Sequence, residues 1–308
     1  MISEKITLYS ELDLPGMLTI PTIGTAPYPC VVLVHGSGAS DMDSRIYAIA
    51  PFKDIAEGLA ALGVASLRYD KRSFVMTGAD AKKFMKDGCF TVKEETVDDA
   101  IAAVQFAKSD PRIDTNRVFI AGLSLGAMLT PRIDAEGADA AGLIIMSGSP
   151  GKLETLSMKQ QDDFLSNIKG IKKWIYTKLI HSVRKKYAAL ETKTDDELKK
   201  IPFAGSATMY YLKEMGRKTG GDYLSESAKP VLIMHPEDDL QVPVESFYQY
   251  QSILKDRDNV VLIKYPGLNH CFMKSIYKDI TKAIKEYKTP QHVQPQVIED
   301  MARWVNNQ

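Results

Sequence analysis

The chain has 308 residues, 44 % of them hydrophobic, and its 39 basic and 39 acidic side chains cancel to a formal charge of +0. That balance excludes a general electrostatic attraction to nucleic acid or to a membrane surface, and no apolar stretch reaches the roughly 20 residues needed to span a bilayer. The length admits two domains or one large α/β domain with a sizeable core. The N-terminus lacks a basic region running into an apolar one, so no signal peptide is expected. Three cysteines, Cys30, Cys89 and Cys271, lie far apart and are odd in number. They read as reduced thiols of a cytoplasmic protein, with neither a disulfide framework nor zinc-ligand spacing.

Residues 5–24 cluster apolar side chains around Leu14-Pro15-Gly16, which predicts an antiparallel hairpin turning there. Residues 29–35 form a continuous apolar run, the pattern of a central strand buried on both faces, and it ends in His35-Gly36-Ser37-Gly38. A helix over 51–62, opened by Pro51 and stopped by Gly63, leads to a strand over 64–69. Alternation of this kind predicts parallel β-α-β units. Asp70-Lys71-Arg72 follows at the strand end and reads as a loop-fixing ion-pair cluster outside the chemistry. After an irregular loop over 73–93 come a helix over 94–108, a strand from Arg117, and a further strand over 141–147.

Between 151 and 229 the alternation stops. This segment has helical patterning over 153–190 and 195–211, and basic side chains outnumber acidic ones. A mostly helical insertion over the strand ends is expected. A minority of Phe164, Ile168, Trp174, Ile175, Leu179, Tyr210, Tyr211 and Met215 would face a pocket, the rest fixing the insertion to the core. Strands resume over 230–236 and 259–265, and residues 273–308 are expected to be helical around a break at Thr289-Pro290, with Trp304 packed on the core.

The chemistry is concentrated at Gly122-Leu-Ser124-Leu-Gly126, a G-x-S-x-G pattern where a strand changes into a helix. A serine on so tight a turn projects its hydroxyl clear of the sheet, and the helix after it aims free N–H groups back at it. Ser124 is the candidate nucleophile. Serine needs a base, and the base an orienting carboxylate. Of five histidines, His270 alone occupies a loop directly after the last strand, and the order Ser, acid, His is kept. His35, His181, His235 and His292 lack that placement. Among Glu237, Asp238 and Asp239, just past a strand end, Asp239 is the first choice of acid, Asp238 the second and Glu237 the third. The backbone N–H groups of Ser37 and Leu125 are the candidate oxyanion donors. No metal or organic cofactor is required.

These motifs, in this order on alternating strands and helices, resemble the α/β-hydrolase superfamily over nearly the whole chain. The chain is similar in particular to bacterial carboxylesterases of the dienelactone-hydrolase-like and serine-aminopeptidase-like group, which includes feruloyl and cinnamoyl esterases. The resemblance implies an α/β-hydrolase core over 1–150 and 230–308 and a variable helical cap over 151–229. It also implies a Ser124–His270–Asp239 triad, an oxyanion hole at Ser37 and Leu125, and hydrolysis of a small-molecule ester through an acyl-enzyme. One departure is Pro236, where many relatives have glycine, which leaves Asp238 open as the acid. Amide or thioester hydrolysis would use the same groups. A binding module without catalysis is the alternative of another class, against which stands the presence of all three triad residues.

Overall fold

The computed structural model describes residues 1–205 and 207–308. Its frame is one eight-stranded sheet, built from β1 (Ile2–Tyr9), β2 (Asp13–Ile20), β3 (Tyr28–Val34), β4 (Ala65–Tyr69), β5 (Ile113–Leu123), β6 (Leu143–Met146), β7 (Val231–Pro236) and β8 (Val260–Tyr265). The spatial order is β1-β2-β4-β3-β5-β6-β7-β8. β1 and β2 are antiparallel to each other, and β2 is antiparallel to β4; every pairing from β4 to β8 is parallel.

The apolar runs are continuous because both faces of the sheet are covered. On β3, Cys30, Val32 and Val34 enter one core while Val31 and Leu33 enter the other, and β5, β6 and β7 alternate in the same way. The first core is closed by the helices Asp98–Ser109 and Leu125–Ile133, the second by Pro51–Ala61 and Pro295–Asn306. The last helix shows why: Pro295 fits its first turn, and Val297, Ile298, Met301, Trp304 and Val305 recur at the spacing that keeps one face inward. Trp304 meets Phe119 edge-on, ring centroids 5.5 Å apart.

The N-terminal hairpin turns four residues earlier than its composition predicts. Leu14-Pro15-Gly16 lies inside β2, and the turn falls between Tyr9 and Asp13. Gly16 serves a close approach there: a Cβ on it would stand 2.9 Å from Arg68 O on β4. The helix expected from 94 is preceded by a π-helical turn, Lys93–Val97, before Asp98–Ser109. Residues 73–93, expected to be irregular, contain the short helices Arg72–Val75 and Gly78–Phe84. After β8 only Ile280–Lys282, Ala283–Glu286 and Pro295–Asn306 are helical, less than the sequence suggests.

Segment 151–229 contains the helices Leu153–Asn167, Gly170–Thr192, Asp195–Leu198, Met209–Met215 and Gly220–Glu226. The single helical stretch expected over 153–190 is thus broken at Ile168-Lys169, and the one over 195–211 is interrupted after Leu198. The segment is joined to the rest of the fold by polar contacts: Gln160 Nε2 donates to Gln241 O, just past β7, at 2.7 Å, and Arg132 on the helix Leu125–Ile133 donates to both oxygens of Glu214. Among the described residues no helix is long and apolar enough to cross a membrane. Cys30, Cys89 and Cys271 are all free thiols.

Candidate active site

Ser124 sits between β5 and the helix Leu125–Ile133 with φ 58° and ψ −117°, a conformation that costs a side-chain-bearing residue about 1–3 kcal/mol and persists only where its surroundings enforce it. Backbone contact at van der Waals distance does the enforcing. A Cβ on Gly122 would lie 2.3 Å from the Gly126 backbone, and one on Gly126 would lie 2.4 Å from Val34 O. Both glycines are therefore required by close approach, in keeping with the spacing of the motif. Ser124 N donates to Met146 O at 3.0 Å, tying the turn to the end of β6.

His270 is tied to the same strand end from the other side, since Ser147 Oγ donates to His270 O at 2.9 Å. Its Nδ1 lies 2.6 Å from Asp239 Oδ2. The other Asp239 oxygen accepts from Gln241 N at 2.7 Å and Val242 N at 2.9 Å, so the carboxylate is held by three donors and is fully buried. Asp238 pairs with Lys278 and Glu237 with Lys264, both partly exposed. Of the three neighbouring acids, the structure brings Asp239 to the imidazole. Among the described residues Ser124 Oγ and the His270 ring are not hydrogen-bonded to each other; such contacts are often loose without substrate and tighten when it binds.

The His270 loop is held by buried hydrogen bonds. Asn269 is buried: its Oδ1 accepts from Cys271 N and Met273 N, and its Nδ2 donates to Glu286 Oε2 at 2.9 Å. Ser147, Asn269 and Glu286 are positioning groups absent from the sequence reading. Only the contacts of distant segments reveal them, although Asn269 next to a candidate base was a local hint.

Ser37 and Leu125 open together onto a cavity of about 500 Å³. Leu125 is the first residue of its helix, so its N–H has no acceptor within the helix. A Cβ on Gly36 would stand 3.2 Å from Ser124 Cβ, which shows how closely the loop after β3 packs on the serine. The remaining wall is mostly apolar, with Met76, Met85 and Phe90 from the loop after β4 and Leu153 and Phe203 from segment 151–229. Of the eight residues in that segment considered for the pocket, Tyr211 alone lines it; Trp174, Ile175 and Leu179 are exposed. Glu95 is the one carboxylate in the wall among the described residues. Among the described residues no group of three or more His, Cys, Asp or Glu side chains could hold a metal ion.

The other histidines are placed elsewhere. His292 pairs with Asp54 and is exposed, and His181 lies on the helix Gly170–Thr192. His235 Nε2 meets Val242 O at 3.1 Å, bracing the turn that carries Asp239, and burial lowers its pKa. His35 is buried beneath the loop it precedes, its Nε2 against Tyr69 O and its ring 5.0 Å from that of Phe52. Burial pushes its pKa down to about 4 from 6.5. The folded state thus keeps this group neutral where the unfolded chain would bind a proton. The contribution is complete above pH 6.5 and is lost as the pH falls from there to about 4, amounting to about 3 kcal/mol. Urea unfolding at pH 7 and pH 4 should show a stability loss that is smaller by about this amount in His35→Gln. Equal losses in the two proteins would contradict the assignment.

A strained serine at the elbow of a parallel sheet, with an imidazole and a buried carboxylate paired at the same edge, defines the hydrolase class of α/β fold. The chain belongs to the alpha/beta hydrolase family, whose model matches residues 31–276. It is 33 % identical over 292 residues to esterase EstD of Thermotoga maritima, covering 95 % of this chain and 65 % of EstD. The chain therefore spans just under two-thirds of the length of that relative. Among solved structures, Est1E from Butyrivibrio proteoclasticus superposes with a TM-score of 0.58 at 19 % identity, covering 98 % of this chain and 99 % of that one. A puromycin-hydrolysing peptidase of Mycobacterium tuberculosis superposes at 0.57 and 13 % identity, covering 99 % of this chain and 39 % of that one. These two likenesses concern the fold.

Proposed function

We propose that the protein is a serine hydrolase that cleaves carboxylic esters through an acyl-enzyme. The observation that carries the proposal is the 2.6 Å contact between His270 Nδ1 and Asp239 Oδ2 at the strand edge that also holds Ser124 in its strained turn. With Nδ1–H donating to Asp239, His270 Nε2 is left as the acceptor for the serine proton. Ser124 Oγ then bonds to the ester carbonyl carbon. The negative oxygen that results rests on the N–H groups of Ser37 and Leu125, and collapse expels the alcohol with the proton carried by His270. Water, deprotonated by the same imidazole, attacks the acyl-serine and releases the acid.

The proposal agrees with the activity named for EstD, and segment 151–229 takes the part of a cap over the site. Wall composition favours an ester with a neutral, largely apolar group. The charge of Glu95 is matched by Lys71 Nζ at 3.4 Å, so among the described residues the cavity has no uncompensated carboxylate for the ammonium of an aminoacyl substrate. The expected result is a kcat/KM for p-nitrophenyl butyrate at least about 100-fold above that for alanine p-nitroanilide, because the anilide has the worse leaving group and also brings an ammonium whose unpaired burial is costly. A faster aminoacyl anilide would shift the reading to the peptidase side of the fold.

A further inference from the structure

Lys71 is buried at the end of β4, where a lysine is costly to keep unless its charge has partners. Its Nζ donates to Gly36 O at 2.9 Å, and its backbone N donates to Ser40 O at 3.0 Å, so the loop carrying Ser37 is bound twice to the same residue. Glu95 Oε1 stands 3.4 Å from the ammonium, and Glu95 Oε2 accepts from Tyr211 OH at 2.5 Å. Glu95 lies within the π-helical turn Lys93–Val97, an irregularity found frequently at functional sites. Both Glu95 and Tyr211 line the cavity that Ser37 and Leu125 open onto.

In a trans peptide the carbonyl of one residue and the N–H of the next lie in one plane and point in opposite directions across the chain. Whatever fixes Gly36 C=O therefore fixes the heading of Ser37 N–H. We propose that Lys71 is a positioning residue for the oxyanion site: its ammonium holds the Gly36–Ser37 peptide so that Ser37 N–H faces the cavity, and Glu95 and Tyr211 hold the ammonium. A charge-assisted hydrogen bond on the carbonyl is roughly twice as strong as a neutral one, and it polarises the peptide so that the opposite N–H becomes a better donor. The chain Tyr211–Glu95–Lys71–Gly36 also couples segment 151–229 to the donor, so the docking of that segment bears on turnover. The inference rests on the esterase reading and adds three side chains to which that reading gives no part in the chemical steps.

Lys71→Met and Lys71→Gln separate positioning from packing when assayed beside the wild-type protein and Ser124→Ala. The readouts are kcat and KM for p-nitrophenyl butyrate and the affinity for a trifluoromethyl ketone, whose serine adduct carries a negative oxygen at the oxyanion position. In Lys71→Met, kcat should fall about 100-fold with KM within about threefold, the size of effect seen when one oxyanion donor is lost. Ketone affinity should fall by the same factor as kcat/KM. Lys71→Gln, which keeps a donor without the charge, should fall between, and it decides alone if the methionine variant does not fold. The inference is overturned if a folded variant keeps kcat and ketone affinity within about threefold of wild type. It is also overturned if kcat falls while ketone affinity does not. Full turnover by Ser124→Ala would instead remove the esterase reading itself.

Discussion

Ser124→Ala should lower kcat for p-nitrophenyl butyrate by at least about 10⁴-fold, with residual activity at the level that binding and oxyanion contacts alone provide. The size follows from the proposed division of labour, in which an acyl-enzyme forms on Oγ and the pairing of His270 with Asp239 acts on that hydroxyl. The same position predicts a contrast in stability. Ser124 has φ 58°, and Ser124→Gly removes the Cβ that makes this conformation costly. That variant should be as inactive as the alanine one while its Tm rises, by the equivalent of about 1–3 kcal/mol of released strain. Loss of activity together with a lower Tm in both variants would indicate that Ser124 is a structural turn residue.

Asp239→Asn should cost about 10⁴-fold in kcat, whereas Asp238→Asn and Glu237→Gln should stay within about threefold. Three adjacent carboxylates provide an internal control. Asp239 is buried and receives Gln241 N, Val242 N and His270 Nδ1, while its neighbours hold the lysines Lys278 and Lys264. Asparagine keeps an oxygen for the two backbone donors, so the loop should fold, but its amide does not hold His270 in the tautomer that leaves Nε2 free to accept. An equal loss in Asp238→Asn would move the orienting role one residue along the turn that follows Pro236.

The parallel core was legible because β3, β5, β6 and β7 are covered on both faces, which leaves unbroken apolar runs bounded by glycine and proline. The serine elbow was legible for a related reason: close backbone packing at 122 and 126 admits only glycine, and that requirement is written in the residue types. Leu14-Pro15-Gly16 misled because the same residues that suit a turn also suit a strand approached closely by its neighbour. Gly16 faces Arg68 O, and Pro15 O accepts from Asp70 N at 2.7 Å.

Segment 151–229 was readable as helices but not as a surface. The helix Gly170–Thr192 has apolar residues on more than one side; it buries Tyr187 and Leu190 and leaves Ile171, Trp174 and Leu179 exposed. Periodicity identifies such faces without saying which one meets the cavity. The Asp70-Lys71-Arg72 cluster shows the same limit. Successive side chains diverge, so Asp70 accepts from Met42 N, Lys71 reaches Gly36 and Glu95, and Arg72 pairs with Asp99 at 2.6 Å. Arg72 does fix a loop, as the sequence suggests. The position of Lys71 beside the loop that carries Ser37 depends on β4 lying next to β3, which no local pattern specifies.

The central claim is that Ser124 Oγ is the nucleophile in covalent catalysis, and a fluorophosphonate tests it most directly. Incubation, digestion and mass spectrometry of the peptide 118–132 should find one adduct on Ser124, with activity lost in proportion to labelling and no adduct in Ser124→Ala. A fully active protein that takes up no phosphonate, or an adduct on another residue that tracks the loss of activity, would contradict it.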